Sequence, residues 1–322
     1  MTTTSVRISG FSDEIAANFD EQLRVVTSLG MSDICLRAAD GKGIAEFSVD
    51  EARVDLLPRL RAAGVGVSAL GSPIGKIDIG DEDGFVRQLA QLEVLCGVAT
   101  TLETRCIRMF SFYIPRGADP DDYADVVLAK VRQFEEIARR HGITLVLENE
   151  KHLFGDIGRR CDWLLRSIDS PHLRAAFDFA NFVQCDDDPV ACWGLLRDYV
   201  ADIHVKDARY GEKGNVLCGT GDGRIGDLLD EALGGGFSGF LTLEPHLATF
   251  DTFASLEREA GVSPMPVGAS IRLAGRVKHH PMGLEAKRSW GPSAFDAGAY
   301  QSGAEAYAAQ YAALQSLLAE AR

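Results

Sequence analysis

Short apolar, β-prone runs recur along the chain, separated by longer amphipathic segments. Eight stand out: VRISGF (6–11), DICLR (33–37), VGVSAL (65–70), CIRMFSF (106–112), ITLVL (143–147), LRAAF (173–177), VADIHV (200–205) and FLTL (240–243). Most are continuous rather than alternating, the pattern of parallel strands buried on both faces. The intervening segments carry helix signals. SVDE (48–51) has capping-box spacing, and PDDYADVVLAKVRQFEEIARRHG (120–142) runs from a Pro-Asp-Asp start to a glycine stop. Eight strand–helix units predict an α/β fold of the (β/α)8 TIM barrel type. A doubly wound sheet would instead need a phosphate-binding glycine turn after an early strand. The glycine-rich stretch CGTGDG (218–223) follows the seventh run, so it is read as a barrel loop.

Composition narrows the function classes. The 322 residues are 46% apolar, enough for a sizeable core, and the chain is expected to be one domain over 1–322. A net charge of −14 argues against nucleic acid as a partner, because such proteins carry a basic face. A small molecule is the expected partner. Seven scattered cysteines without a C-x-x-C pair, and an N-terminal stretch unlike a secretory leader, fit a reducing cytoplasm. No stretch approaches the roughly 18 continuous apolar residues of a membrane span.

In a barrel of this kind the carboxyl ends of the strands face the active-site mouth. Four consecutive runs end on metal-ligand residue types: Glu148 after ITLVL, Asp178 after LRAAF, His204 in VADIHV and Glu244 after FLTL. They are spaced about one βα unit apart, so they would converge on one point. A lone acid at a strand end is most often a helix cap, but capping gives no reason for four neighbouring strands to carry this set. Three carboxylates and one imidazole suit Mn2+ first, with Mg2+ or Co2+ as alternatives, better than structural zinc.

The phrases GFSDEI (10–15), LRAADGKGI (36–44), LENEKHLFGD (147–156), FDFANFVQ (177–184), HVKDA (204–208) and LEPHL (243–247) carry a resemblance. Together they resemble the sugar phosphate isomerase/epimerase group of the xylose isomerase-like TIM barrels. The similarity spans about residues 6–247 and the final helix. It implies that Glu148, Asp178, His204 and Glu244 bind one divalent metal. By resemblance to ketose 3-epimerases, Glu148 and Glu244 would also be the catalytic acid–base pair. The chemistry so implied is proton abstraction next to the carbonyl of a ketose or keto-sugar, through an enediolate stabilised by the metal. Two alternatives share the barrel: a lyase acting on an inosose or 3-keto-glycoside, and an endonuclease using clustered metals.

Departures from the epimerase pattern mark further residues. Asn181 stands where those epimerases commonly carry histidine, and Glu150 where many relatives have one. Glu150, two residues beyond Glu148, is a substrate-binding or acid–base candidate, with an exposed loop acid as the alternative. His246 bears the same relation to Glu244 and is read as substrate-facing. Lys206 shares a face with His204 and is expected to donate to substrate, whereas Asp207 is expected to make a structural bond in its loop. Arg108, a charge inside an apolar strand, should pair with a carboxylate near the site. Arg37 is read as a substrate contact or a surface salt bridge, and Glu14 as a residue able to reach the mouth.

Residues 248–302 form an unusually long connection before the final helix GAEAYAAQYAALQSLLAEAR. Connections beyond about 15 residues without structure of their own are usually functional or disordered. This one is locally basic, with Arg272, Arg276, Lys278, His279 and His280, and carries Trp290. It is expected to be a lid or an arm contacting another copy of the chain, which allows a homo-oligomer.

Overall fold

The structure, a computed structural model, describes residues 6–212, 214–248 and 300–320. Its centre is an eight-stranded parallel sheet: β1 (Arg7–Gly10), β2 (Asp33–Leu36), β3 (Gly66–Leu70), β4 (Cys106–Met109), β5 (Thr144–Glu148), β6 (Leu173–Asp178), β7 (Val200–Val205) and β8 (Phe240–Leu243). Each strand pairs with the next from β2 to β8, and β8 pairs with β1. A parallel bridge between Phe11 and Cys35 brings β1 against β2, so the barrel is nearly closed. All eight apolar runs are therefore strands of one TIM barrel.

The helices follow from local chemistry. They are α1 (Phe19–Ser28), α2 (Leu57–Ala63), α3 (Glu82–Thr101), α4 (Ala124–His141), α5 (Gly158–Ile168), α6 (Phe179–Gln184), α7 (Pro189–Leu196), α8 (Ile225–Gly234) and α9 (Gly303–Glu320). The Ser48 hydroxyl accepts from the Glu51 amide while Glu51 accepts from the Ser48 amide, which completes the capping box at the start of the helical segment leading to α2. Gly142 ends α4 at φ 63°, a left-handed conformation that glycine adopts without steric cost. The C-terminal α9 packs on β8, α8 and the turn after β1. It comes so near that a Cβ on Gly10 would lie 2.0 Å from the Tyr307 hydroxyl.

The main apolar core lies between strands and helices, and includes Ile34, Leu36, Leu145, Leu147, Phe177, Ile203 and Leu241. Alternation along each strand sends the other set of side chains inward. That set is unusually polar for a barrel, where Val, Ile and Leu are the norm. Ser9 and Ser68 share a 2.6 Å hydrogen bond and Thr242 donates to Asp202 at 2.7 Å, both buried. A small apolar cluster, Phe11, Cys35 and Ala69, lies on the same side. Among the described residues no helix is long and apolar enough to cross a membrane. The arm expected over 248–302 lies, for 249–299, outside the described residues.

Candidate metal centre

β5, β6, β7 and β8 are consecutive neighbours in the sheet, so their carboxyl ends lie side by side. The register pairs Asp178 with His204, and His204 with Thr242. Glu148, Asp178, His204 and Glu244 are all buried, and one ligand-type atom from each lies within 4.8 Å of the others.

Each side chain is held so that one atom faces the common centre. Asp178 caps α6: one carboxylate oxygen, Oδ1, accepts from the Asn181 amide at 2.8 Å. Its other oxygen, Oδ2, makes no hydrogen bond and lies 3.0 Å from the Lys206 ammonium. Helix capping therefore occupies one oxygen and leaves the other beside Lys206. Asn149 fixes the strand end from behind, donating to the Asp178 carbonyl and accepting from its amide. Glu148 Oε2 accepts from Arg108 at 3.0 Å, while Oε1 lies 3.3 Å from His204 Nδ1 and accepts from the Asn181 side-chain Nδ2 at 3.4 Å. Glu244 Oε1 is held by Arg37 at 3.2 Å, while Oε2 lies 3.3 Å from Lys206 and 3.5 Å from His204 Nδ1. His204 turns Nε2 toward Asp202, 3.7 Å away, and leaves Nδ1 buried without a hydrogen bond.

Phe11 supports this arrangement. Its ring contacts the Arg37 and Arg108 guanidiniums at 4.5 and 4.7 Å and meets the His204 ring edge-on at 5.3 Å.

These residues fit a divalent cation on two grounds. Asp178 Oδ2, 3.0 Å from the Lys206 ammonium, and His204 Nδ1, 3.3 Å from Glu148 and 3.5 Å from Glu244, are buried without a hydrogen bond, and both are atoms of the kind that ligate divalent cations. Buried acids are also in excess: Asp13, Glu14, Glu148, Asp178, Asp202 and Glu244 face Arg37, Arg108, Lys206 and His204, and burial raises Glu14 itself to about 8. The imbalance is visible in the titration behaviour. Burial, reinforced by Glu244 and Glu148 against the pull of Lys206, raises Asp178 to about 7. Burial would lower His204, but Glu148 and its other acidic neighbours outweigh it and lift the imidazole well above its usual value. Burial also pushes Glu244 up, yet the Lys206 ammonium outweighs this and the carboxyl is held well below the usual carboxylate range.

Residues 24–262 match the family described as xylose isomerase-like TIM barrel. The chain belongs to this family. Solved structures share its fold at low identity. A xylose isomerase domain protein from Alicyclobacillus acidocaldarius is 14% identical, covering 98% of this chain and 99% of its own, with a TM-score of 0.66. The probable 3-DHS dehydratase AsbF from Bacillus anthracis is 16% identical over 74% of this chain and 92% of its own, TM-score 0.61. The 3-keto-D-glucoside 4-epimerase from E. coli is 16% identical over 74% of this chain and 90% of its own, TM-score 0.59. No functionally curated protein matches the sequence.

Around the four central residues of this xylose isomerase-like barrel the structure gathers most of the other sequence-derived candidates. Arg108 pairs with Glu148 and lies 3.7 Å from Glu244. Arg37 is neither at the surface nor confined to one partner: it pairs with Asp13, Glu14 and Glu244 and is buried. Lys206 points between Asp178 and Glu244. Asn181 also donates to the Asn149 carbonyl at 2.8 Å. His246 has φ 47°, uncommon for a residue with a Cβ, and its amide donates to Glu14 at 2.7 Å. Its ring nitrogen Nε2 lies 3.4 Å from both Glu14 and Glu244. Burial lowers its pKa to about 4, which keeps it neutral. Glu150 is not an exposed loop acid. It pairs with Lys76 at 3.2 Å, and although burial opposes ionisation, Lys76, Lys151 and Lys206 lower it to about 2.

Four participants, Asn149, Phe11, Asp202 and Lys76, are not among the residues that the sequence marks. Asp202 was legible in principle, because an acid two residues before His204 shares its face of the strand. Lys76, in the loop after β3, reaches Glu150 only through the fold.

Proposed function

We propose that this chain is a divalent-metal-dependent isomerase or epimerase that removes a proton from the carbon next to the carbonyl of a ketose or keto-sugar. The observation carrying the proposal is the convergence of four strand-end ligand atoms, two of them buried without a hydrogen bond. Glu148, Asp178, His204 and Glu244 would hold the ion, with Mn2+ the first expectation and Mg2+ or Co2+ the alternatives. A divalent ion there supplies Lewis acidity, polarising the carbonyl and lowering the barrier to loss of the adjacent proton.

The protein supplies the rest. Glu148 and Glu244 approach the centre from β5 and β8 and form the proton-transfer pair, one on each side of a substrate carbon. Lys206, between Asp178 and Glu244, donates to a substrate oxygen and offsets the negative charge that develops there. Asn181 steadies Glu148, while Glu150 and His246 contact the sugar hydroxyls.

A lyase is the second reading, and one observation favours it. Arg108 holds one oxygen of Glu148, and Arg37 one oxygen of Glu244, which weakens both as bases. The same loss of a proton beside the carbonyl would then be followed by departure of a leaving group from the next carbon, with His246, 3.4 Å from Glu244, placed to contact it. Multi-metal phosphodiester hydrolysis is disfavoured. A second ligand-type group, Glu14, Glu244 and His246, does lie beside the centre, but the Arg37 guanidinium already sits 3.4 Å from Glu14 and 3.2 Å from Glu244. The chain thus brings its own cation to that position.

Deuterium exchange tests the reading. Mn2+-loaded protein is incubated with ketoses, inososes and 3-keto-glycosides in D2O, and label and products are followed by NMR and mass spectrometry. Metal-dependent label beside the carbonyl with the formula retained is the expected result. Label with loss of water or an aglycone establishes the lyase, and no label with any of them refutes both.

A further inference from the structure

Barrels of this type frequently seat a substrate phosphate on backbone N–H groups of the loops after strands seven and eight. Here the loop after β7 contains the glycine-rich CGTGDG stretch, and its N–H groups do converge. They converge on the chain's own Asp207. One carboxylate oxygen accepts from the amides of Gly219 and Gly221, each at 2.9 Å. The other accepts from Gly223 at 3.0 Å and Ala208 at 2.9 Å. Asp207 is fully buried.

The glycines are required by this carboxylate. A Cβ on Gly221 would fall 2.4 Å from an Asp207 oxygen and from the Ala208 carbonyl, and one on Gly223 2.8 Å from the same oxygen. The loop is anchored at a second point, where the side chain of Gln310 in α9 accepts from the Cys218 amide and donates to the Val205 carbonyl. Four N–H donors around two oxygens of one anion form the arrangement that would cradle a phosphate, already filled. The two buried arginines of the centre, Arg37 and Arg108, are committed to carboxylates.

We propose that Asp207 is an internal anion occupying the barrel's phosphate cradle, so that the site selects an unphosphorylated keto-sugar or keto-glycoside over a sugar phosphate. The proposal rests on the reading of the neighbouring centre as a metal-dependent keto-sugar site. Asp207 is a positioning residue: it touches no reacting atom, and fixes the loop next to Lys206.

Two measurements test it. In the first, the full-length chain is treated with a chelator, and thermal unfolding is compared in inorganic phosphate and in chloride of equal ionic strength. The wild type should not respond, whereas Asp207→Ala, with its N–H groups vacated, should gain a saturable rise of about 2 °C at ten times the dissociation constant. Equal stabilisation of the wild type, or none in a folded Asp207→Ala, overturns the proposal. The second needs no variant. Metal-loaded wild type is given matched ketoses and their phosphate esters in D2O. Exchange at least tenfold faster in the free sugars supports selection against phosphate, and a tenfold preference for the esters overturns it. Absence of exchange in every pair refutes the keto-sugar reading of the centre and leaves the phosphate response to decide the role of Asp207.

Discussion

Arg108→Met separates charge from packing at the heart of the site. The guanidinium is buried, donates to Glu148 at 3.0 Å and to the Gly71 carbonyl at 3.3 Å, and lies against the rings of Phe11 and Phe110. Methionine keeps much of the apolar stem between those rings, so the loss is chiefly electrostatic. Removing one partner of a buried ion pair leaves an uncompensated charge and costs about 3–5 kcal/mol. For a chain of 322 residues that corresponds to a fall in Tm of about 4–7 °C. The loss should be full only without metal, because a divalent ion at the four ligands would restore positive charge beside Glu148. Thermal unfolding in chelator and in saturating Mn2+ therefore gives two deficits, and the second should be clearly smaller. A deficit under about 1 kcal/mol in chelator, or equal deficits in both conditions, would refute the view that Arg108 balances the ligand charge.

Two further predictions follow from the same geometry. Metal affinity should fall as pH drops, and most steeply below about 7, by up to about a hundredfold per pH unit, because Asp178, raised to about 7, and His204, raised well above its usual value, must each lose a proton to ligate. Calorimetric titration at several pH values checks this, and a flat affinity between pH 5 and 7 contradicts it. Asp202→Asn should weaken metal binding about 10–100-fold while leaving the fold intact, since Asp202 faces the far ring nitrogen of His204 and is itself held by Thr242. The tautomer of His204, read from its 15N shifts, should change with it.

The strands were legible because most read as continuous, β-prone apolar runs set off by amphipathic segments. The ends of β5 to β8 were legible because topology converts an ordinary residue type at each end into one cluster. What a single sequence does not carry is which atom of a side chain does what. Asp178 raised a choice between capping and ligation, and it caps with one oxygen while the other faces the centre. Arg37 raised a choice between a substrate contact and a surface salt bridge. It is buried among three carboxylates, two of them on the loop after β1, more than twenty residues away in sequence. Lys76 lies in a loop with no periodic signal, and only the closeness of the β3 and β5 loops brings it to Glu150. Asp207 shows the reverse case: the glycines of CGTGDG were visible, but the anion they enclose precedes them in the chain and is brought there by the turn.

The most direct test of the central claim is metal stoichiometry. Full-length protein is stripped with chelator, titrated with Mn2+ by calorimetry and assayed for bound metal by mass spectrometry, alongside Glu148→Gln, Asp178→Asn, His204→Asn and Glu244→Gln. One ion per wild-type chain, with affinity reduced at least about a hundredfold in folded variants of these ligands, is the predicted result. No saturable binding by the wild type, or binding unchanged across all four substitutions, would contradict a metal centre at these strand ends.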